Sequence, residues 1–410
     1  MENPAPVVLD PAGRDIHGEA ARIRANGPVA RIELPGGVLA WSIADQELAR
    51  QALSDHRLSK DPRQHWTAFA EGRIGEDFPL IGWVLMDNLT TRYGADHTRL
   101  RKLTAGAFTP RRVEALRPEV QKAVDELLDE LDGCAPGEVV DLKARFARPM
   151  PARVICDLFG VPAEDRVQML RGGEANIDTT LTPEESAANV AQWHREMAEF
   201  VESKRRDPGD DLTSDLVQAQ AEDGSRLNDS ELVGTLHLLL ATGTEPVMNL
   251  LANATRALLT HPEQLALLKN GKVTWADVIE ETLRAEAPVA HLPFRFAVED
   301  IELGGVVIAK GEPVLINFAA AGRDRTVHGD SAHTFDATRP NKEHLSFGHG
   351  IYRCIGMPLA RMEAEIALAA LFRRFPDLEL AVPAQDLSPQ VTFIMNGVET
   401  LPVRLTPQSR

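Results

Sequence analysis

The feature that most restricts this chain is a stretch of apolar residues at helical spacing over Asp229–Leu259. Leu232, Val233, Leu236, Leu240, Val247, Leu250, Leu251, Ala254 and Leu258 recur too densely for a surface helix. Such a helix is stable as the buried spine of a domain, wrapped by the rest of the chain. Its middle, Ala241-Thr242-Gly243-Thr244-Glu245-Pro246, opposes helix preference. Gly costs ~1 kcal/mol and Pro ~3 kcal/mol in a helix interior. Pro246 has no N–H, so the Thr242 carbonyl is left for water or another group. Rule-breaking of this kind clusters at functional sites.

The remaining sequence supplies the wrapping. Helical spacing recurs over Arg111–Leu131, Arg145–Phe159, Pro183–Arg206, Pro262–Lys269, Trp275–Ala285 and Ile355–Phe375. Strand-like pieces lie at Pro28–Leu34 and Val38–Ile43, then at Phe294–Val298, Ile301–Leu303, Val306–Ile308 and Val314–Ile316, with a short β region at Val391–Leu405. Residues 322–349 are polar and irregular, a length of loop that is usually functional. The expectation is one domain over residues 1–410, mostly α with minor β. The chain has 410 residues, 43% hydrophobic and 26% charged, which excludes wholesale disorder and allows a large core. The net charge of −17 disfavours a nucleic-acid partner. Cys134, Cys156 and Cys354 are odd in number and widely spaced, against a disulfide scaffold or structural zinc and in keeping with a reducing cytoplasm. No secretory pattern opens the sequence, and no run of ~18 apolar residues predicts a membrane span.

The segment Ser346-Phe-Gly-His-Gly-Ile-Tyr-Arg-Cys-Ile-Gly356 carries the most chemistry. Cys354 stands where a Gly-rich loop becomes a helix, and the peptide N–H groups and dipole of a helix start favour thiolate, the metal-binding form. Gly348, Gly350 and Gly356 let backbone approach a flat, bulky object. A lone cysteine is more often an inert buried residue. A phosphate loop lacks its third Gly and its Lys-Ser/Thr, and a zinc site has only His344 and His349 nearby.

Phe347-x-x-Gly350-x-x-x-Cys354-x-Gly356 resembles the haem-binding signature of the cytochrome P450 family. Other landmarks follow at matching separations. Glu281-Thr-Leu-Arg284 resembles the family's ExxR pair, the segment from Phe335 to Arg339 resembles the source of its third member, and His97-Thr-Arg-Leu-Arg101 resembles its HxxxR. The resemblance spans essentially the whole chain, closest to soluble actinobacterial members that tailor secondary metabolites. It implies a P450 fold with a long helix over haem b and Cys354 as iron ligand. His97, Arg101, Arg295 and Tyr352 would serve the propionates, with Phe347, Gly348 and Gly356 shaping the loop. Glu281, Arg284 and Arg339 would form a buried structural network. At Tyr352 the family usually has His or Arg; a phenol carries no positive charge near neutral pH.

The middle of the spine resembles the family's oxygen-binding groove, A-G-x-[E/D]-T. Gly243 and Glu245 match, Thr242 replaces Ala, Thr244 fills the variable place, and Pro246 replaces the alcohol that helps deliver protons. Glu245, Thr242, water or a substrate hydroxyl must then act instead. The implied substrate roof comprises Gln64, His65, Trp66, Phe69, Trp83, Val84, Met86, Ile177, Val289, Ala290, His291, Phe393 and Ile394. Two tryptophans in one irregular segment could stack on an aromatic substrate or be core.

The leading expectation is a cytoplasmic monooxygenase using O2 and electrons from a ferredoxin and its reductase, most readily for hydroxylation of a secondary metabolite. Radical C–C or C–N coupling of an aromatic substrate, such as an indole-bearing cyclic dipeptide, is the alternative. A haem protein binding a ligand without turnover, and an enzyme with a bare cysteine nucleophile, are the others. Arg99, Lys102, Arg111, Arg112, Lys342, Arg353 and Arg361 are candidates for a ferredoxin-docking patch.

Overall fold

The computed structural model describes residues 5–75, 78–135, 137–219 and 224–405. Its spine is the helix Asp229–Thr260, in which Leu236, Leu240, Ala254 and Leu258 are fully buried. The Asn228 side chain accepts from the Glu231 N–H, and the Glu231 carboxylate accepts from the Asn228 N–H at 3.0 Å. This reciprocal cap satisfies two donors that have no intrahelical partner. Helices Pro149–Phe159, Arg166–Ile177, Pro183–Arg206, Trp275–Ala285 and Met357–Arg374 all pack on the spine. A Cβ at Gly243 would lie 2.7 Å from Ile155 Cδ1, so the glycine permits that close helix contact. Burying one Leu contributes ~1.5–3 kcal/mol, and several together offset the ~4 kcal/mol that Gly243 and Pro246 cost.

In chain order the strands are β1 (Val7–Val8), β2 (Val29–Leu34), β3 (Val38–Ile43), β4 (Leu58–Ser59), β5 (Val139–Asp141), β6 (His291–Ala297), β7 (Ile301–Leu303), β8 (Val306–Ile308), β9 (Pro313–Asn317), β10 (Glu379–Leu380) and β11 (Pro402–Arg404). The main sheet is ordered β1-β2-β3-β9-β6-β4. β2 and β3 form a hairpin whose turn residues Gly36 and Gly37 have φ of 84° and 76°. β9 runs parallel to β3 and antiparallel to β6, bringing residues 38–43 beside 291–317. The β6–β9 register slips between Leu292 and Arg295, where β6 turns toward the site described below. β10-β11-β5 and β7-β8 are small separate sheets.

The sequence expectations hold for Pro183–Arg206, Pro262–Lys269, Trp275–Ala285, β3, β7 and β8. Three segments differ. The expected helix over 111–131 is two, Pro110–Ala115 and Arg117–Asp132, because Pro118 cannot donate and its ring conflicts with the Glu114 carbonyl. The expected helix from Arg145 begins at Pro149. Pro149 breaks the ladder, and Arg148 N–H reaches back to the Lys143 carbonyl at 2.8 Å in a wider turn. Within 391–405 the ladder is confined to β11, and isolated bridges Val289–Met395 and Pro389–Val398 hold the rest. Of the irregular run expected over 322–349, residues 329–349 contain no helix or strand, whereas Arg325–His328 form a single helical turn.

Two buried histidines make the fold pH-dependent. His237 on the spine and His291 on β6 leave ring nitrogens without a hydrogen bond, and burial lowers both pKa values to about 4. Unfolded histidine titrates near ~6.5. The unfolded chain therefore takes up protons that the fold refuses, so stability should fall as pH drops from ~6.5 toward ~4 and change little through these groups below that. Urea unfolding of the ligand-free chain at about pH 7 and about pH 4.5 checks this; equal midpoints would contradict it.

Candidate active site

The Cys354 loop is built by backbone geometry. Gly348 and Gly350 have φ of 71° and 70°, the Gly348 N–H bonds the Leu345 carbonyl at 2.7 Å, and the Cys354 N–H bonds the Phe347 carbonyl at 2.8 Å. A Cβ on Gly350 would sit 2.8 Å from the Leu53 carbonyl oxygen. Gly356 caps the helix Met357–Arg374, and the N–H groups of Gly356 and Met357 point at the Cys354 sulfur. Burial raises the thiol pKa, while these N–H groups, Arg101 and Arg353 oppose the rise. By surface area Cys354 is exposed, yet burial dominates its pKa. Arg361 grips both Glu280 oxygens at 2.6 and 2.8 Å and lies 4.7 Å over the Phe347 ring, tying the loop to the helix Trp275–Ala285.

That helix also carries the ion-pair network. Arg284 Nε and Nη2 each lie 2.7 Å from a Glu281 oxygen, with both side chains at 0% exposure. Arg284 also donates to the carbonyls of Gly322, Ala332 and Thr334. Arg339 Nε reaches Glu281 at 3.4 Å, and its other nitrogens donate to the carbonyls of His328 and Ser331. The Asp336 N–H adds a 2.8 Å bond to Glu281. The network thus anchors much of the irregular 322–339 segment.

A second polar group differs sharply. His97, on the helix Gly94–Ala105, is 1% exposed, and among the described residues neither ring nitrogen has a partner. Arg295 on β6 is 2% exposed with Nε and Nη2 unpartnered; its Nη1 makes a 3.4 Å bond to the Leu58 carbonyl. Burial lowers His97 to about 4 and Arg295 to about 10, and Arg101, Lys60 and Arg295 push His97 down further. Arg101 donates to the Arg353 carbonyl at 2.7 Å, at the edge of the cysteine loop. The Tyr352 ring lies 4.1 Å from the His97 ring and under Arg295 at 5.1 Å, while its hydroxyl donates to the Arg92 carbonyl at 2.7 Å. Buried donors without acceptors mark a place for an anion.

On the spine, Ala241, Thr242 and Pro246 keep accessible surface, whereas Thr244 and Glu245 are buried. The Thr242 hydroxyl donates to the Leu238 carbonyl at 2.7 Å, and Thr244 to Leu240 at 3.1 Å. Glu245 accepts from Gln390 at 3.4 Å, and Lys143 donates to Gln390 at 3.2 Å and to the Val398 carbonyl at 2.6 Å. Burial and then Glu174 raise the Glu245 pKa, against Lys143 and Arg148.

The segments expected to roof the site do converge. Asn88 donates to the Gly234 carbonyl, Trp83 to the Asn176 carbonyl, and the Phe393 N–H to Thr179. Val289 bridges Met395. Trp83, Met86 and Val289 remain half-buried. Trp66 is 1% exposed among Phe69, Phe78, Phe294 and Phe296, with ring centres 5.3–6.1 Å away. Val84, Ala290, Phe393 and Ile394 are buried, and Ala290 packs against Ile16 and Ala319. Gln64 caps back onto Asp61, His65 bonds Ser59, and His291 stands 4.0 Å from Glu19. Of the expected docking residues, Arg99, Arg112, Lys342 and Arg361 are engaged with Glu231, Asp215, Asp277 and Glu280. Sequence reasoning missed Lys60, Lys143 and Gln390; no periodicity or motif marks them.

Removing Arg284 would leave Glu281 buried with much of its compensation gone. Arg284→Ala should therefore cost ~3–5 kcal/mol and yield aggregated or haem-free protein. Normal cofactor loading, read from the Soret-to-protein absorbance ratio, would contradict this.

Comparisons with known proteins agree with the geometry. The family model for Cytochrome P450 matches residues 275–397, which include the ion-pair network and the cysteine loop. The 2-hydroxy-5-methyl-1-naphthoate 7-hydroxylase of Streptomyces carzinostaticus is 52% identical over 98% of this chain and 97% of its own. CYP154C4 from Streptomyces sp. W2061 superposes with a TM-score of 0.95 at 44% identity, covering all of both chains. CYP154A1 from Streptomyces coelicolor A3(2) does so with 0.93 at 47%, covering 98% of this chain and all of its own. The chain belongs to the cytochrome P450 family.

Proposed function

We propose that this monooxygenase hydroxylates a compact secondary metabolite with a fused aromatic or polycyclic skeleton, using electrons delivered by a ferredoxin in the cytoplasm. The observation that carries the reading is the pairing of an exposed Cys354, in its glycine-rich loop, with buried nitrogens on His97 and Arg295 that have no partner among the described residues. These residues fit haem b, the family's cofactor. A propionate carboxylate would satisfy donors that otherwise remain desolvated and unpaired. Arg101 closes the same edge, Tyr352 contributes its ring, and Phe347, Gly348 and Gly356 shape the turn. Haem bound to a Cys354 thiolate supplies the electron-rich iron that activates O2.

The chain's own residues then divide the remaining work. The N–H groups of Gly356 and Met357 oppose the rise that burial imposes on the Cys354 thiol, and would stabilise its thiolate once iron is bound. Glu245 is the acid nearest the interruption in the spine, and its raised pKa suits it to carry a proton. Pro246 leaves the Thr242 carbonyl without its helical donor, so water bonded there and the Thr242 hydroxyl complete the path. Gly243 and Thr244 shape this groove. Half-buried Trp83, Met86 and Val289 offer the apolar surface a substrate would meet. Gln64, His65, Trp66, Ala290, Phe393 and Ile394 support that surface from behind. The similarity to a naphthoate hydroxylase supports the substrate class. No helix among the described residues is long and apolar enough to cross a membrane.

Cys354→Ala should abolish the carbonyl spectrum of thiolate-ligated haem together with turnover, whereas Cys134→Ser should leave both intact. Survival of that spectrum in Cys354→Ala would refute the assignment. Product mass decides the chemistry: a gain of one oxygen supports hydroxylation, and an adduct less two hydrogens supports oxidative coupling. Pro246→Thr should change turnover only modestly, because a proton path already exists. A rise of several orders of magnitude would show that the native groove binds ligand without competent turnover.

A further inference from the structure

Near Arg295 stands a third cationic residue, itself largely buried, whose role the family motifs leave unassigned. Lys60 follows β4 directly and is 6% exposed. Among the described residues no acceptor is recorded for its ammonium group. Its charged neighbour is Arg295, and burial followed by that guanidinium lowers its pKa to about 7. Lys60 in turn helps to depress His97. The carboxylate next in sequence is already used: Asp61 accepts from the N–H groups of Arg63 and Gln64 and from the Gln64 side chain. β4 pairs with β6 so that Ser59 stands opposite Phe296, which sets Lys60 beside Arg295, two neighbouring cations near a buried imidazole. An anion entering there would satisfy them.

Tyr352 sharpens the argument. Its hydroxyl donates to the Arg92 carbonyl at 2.7 Å and accepts from the Lys60 backbone N–H. The phenolic hydrogen is therefore spent on protein, and the ring brings no charge. The positive charge that the family usually has two residues before the cysteine is missing from that position. The Lys60 backbone meets the same phenol, and its side chain carries one.

We propose that the Lys60 ammonium pairs with a haem propionate, restoring from β4 the charge that Tyr352 lacks. This rests on the haem reading above and adds a ligand-holding residue to it. Lys60, Arg295 and Arg101 together then face two carboxylates, with His97 donating through its ring nitrogen.

Lys60→Met keeps the length of the side chain and removes the charge. Haem transfer to excess apomyoglobin, followed at the Soret band, should be roughly tenfold faster from this variant than from wild type, as expected for losing one charge-assisted hydrogen bond. Lys60→Arg should stay within about twofold of wild type. After reconstitution with haem dimethyl ester, whose propionates carry no charge, wild type and Lys60→Met should lose the cofactor at equal rates. The haem-free Lys60→Met protein should be at least as stable to urea as haem-free wild type, because a buried unpaired charge has gone. Equal transfer rates with native haem, or a difference that persists with the ester, would overturn the assignment. A wild-type chain that retains no haem would instead overturn the haem reading itself.

Discussion

An ion pair wholly removed from water sets the terms for much of this structure. Glu281 and Arg284 both lie at 0% exposure. Taking two such ions out of water costs several kcal/mol each, and their attraction repays it only when every remaining donor and acceptor is met. The protein meets them with backbone from elsewhere: the carbonyls of Gly322, Ala332 and Thr334, the Asp336 N–H, and the Arg339 guanidinium. The 322–349 segment has little regular structure of its own because its polar groups serve this pair instead. A Cβ at Gly322 would come within 2.0 Å of the Arg284 carbonyl oxygen, so the segment is drawn in until backbone meets backbone. The neighbouring Glu280 extends the same helix's hold to Arg361 and His344, and so to the cysteine loop. One helix therefore positions both the irregular segment and the Cys354 turn.

The group around His97 and Arg295 inverts that arrangement. There, among the described residues, the protein gathers cations and leaves donors unpaired, and in the proposed reading the cofactor's propionates supply the missing half of the electrostatic balance. The two sites stand on successive elements, the helix Trp275–Ala285 and β6. The first is complete in itself; the second is complete only with the prosthetic group. This division lets the chain form its frame and still bind a dianionic cofactor firmly.

What was legible in the sequence follows the same physics. The spine could be read because its burial is nearly all-round, and the helix ends at Pro183, Pro262 and Trp275 because proline or a Thr cap marks them. The cysteine loop could be read because glycines with positive φ leave a fixed spacing. The breaks at Leu116 and Arg148 were signalled by Pro118 and Pro149, but helical periodicity across them masked the signal. Lys60, Lys143 and Gln390 had no local signature at all. Their importance comes from charges and carboxamides brought together from distant parts of the chain. Trp66 was visible as a large aromatic, but its partners Phe294 and Phe296 are more than two hundred residues away.

The aromatic cluster around Trp66 has a consequence for how such an enzyme can change its diet. Five rings lock together there, joining the segment before the His97 helix to β6, the strand that carries Arg295. A substitution within the cluster would disturb the cofactor's edge as well as the cleft. Half-buried Met86, Val289 and Leu292 bear no such double duty. Evolution and the protein engineer thus meet the same asymmetry: one wall is fixed by its packing onto β6, the strand that carries Arg295, and the other can be recast one side chain at a time.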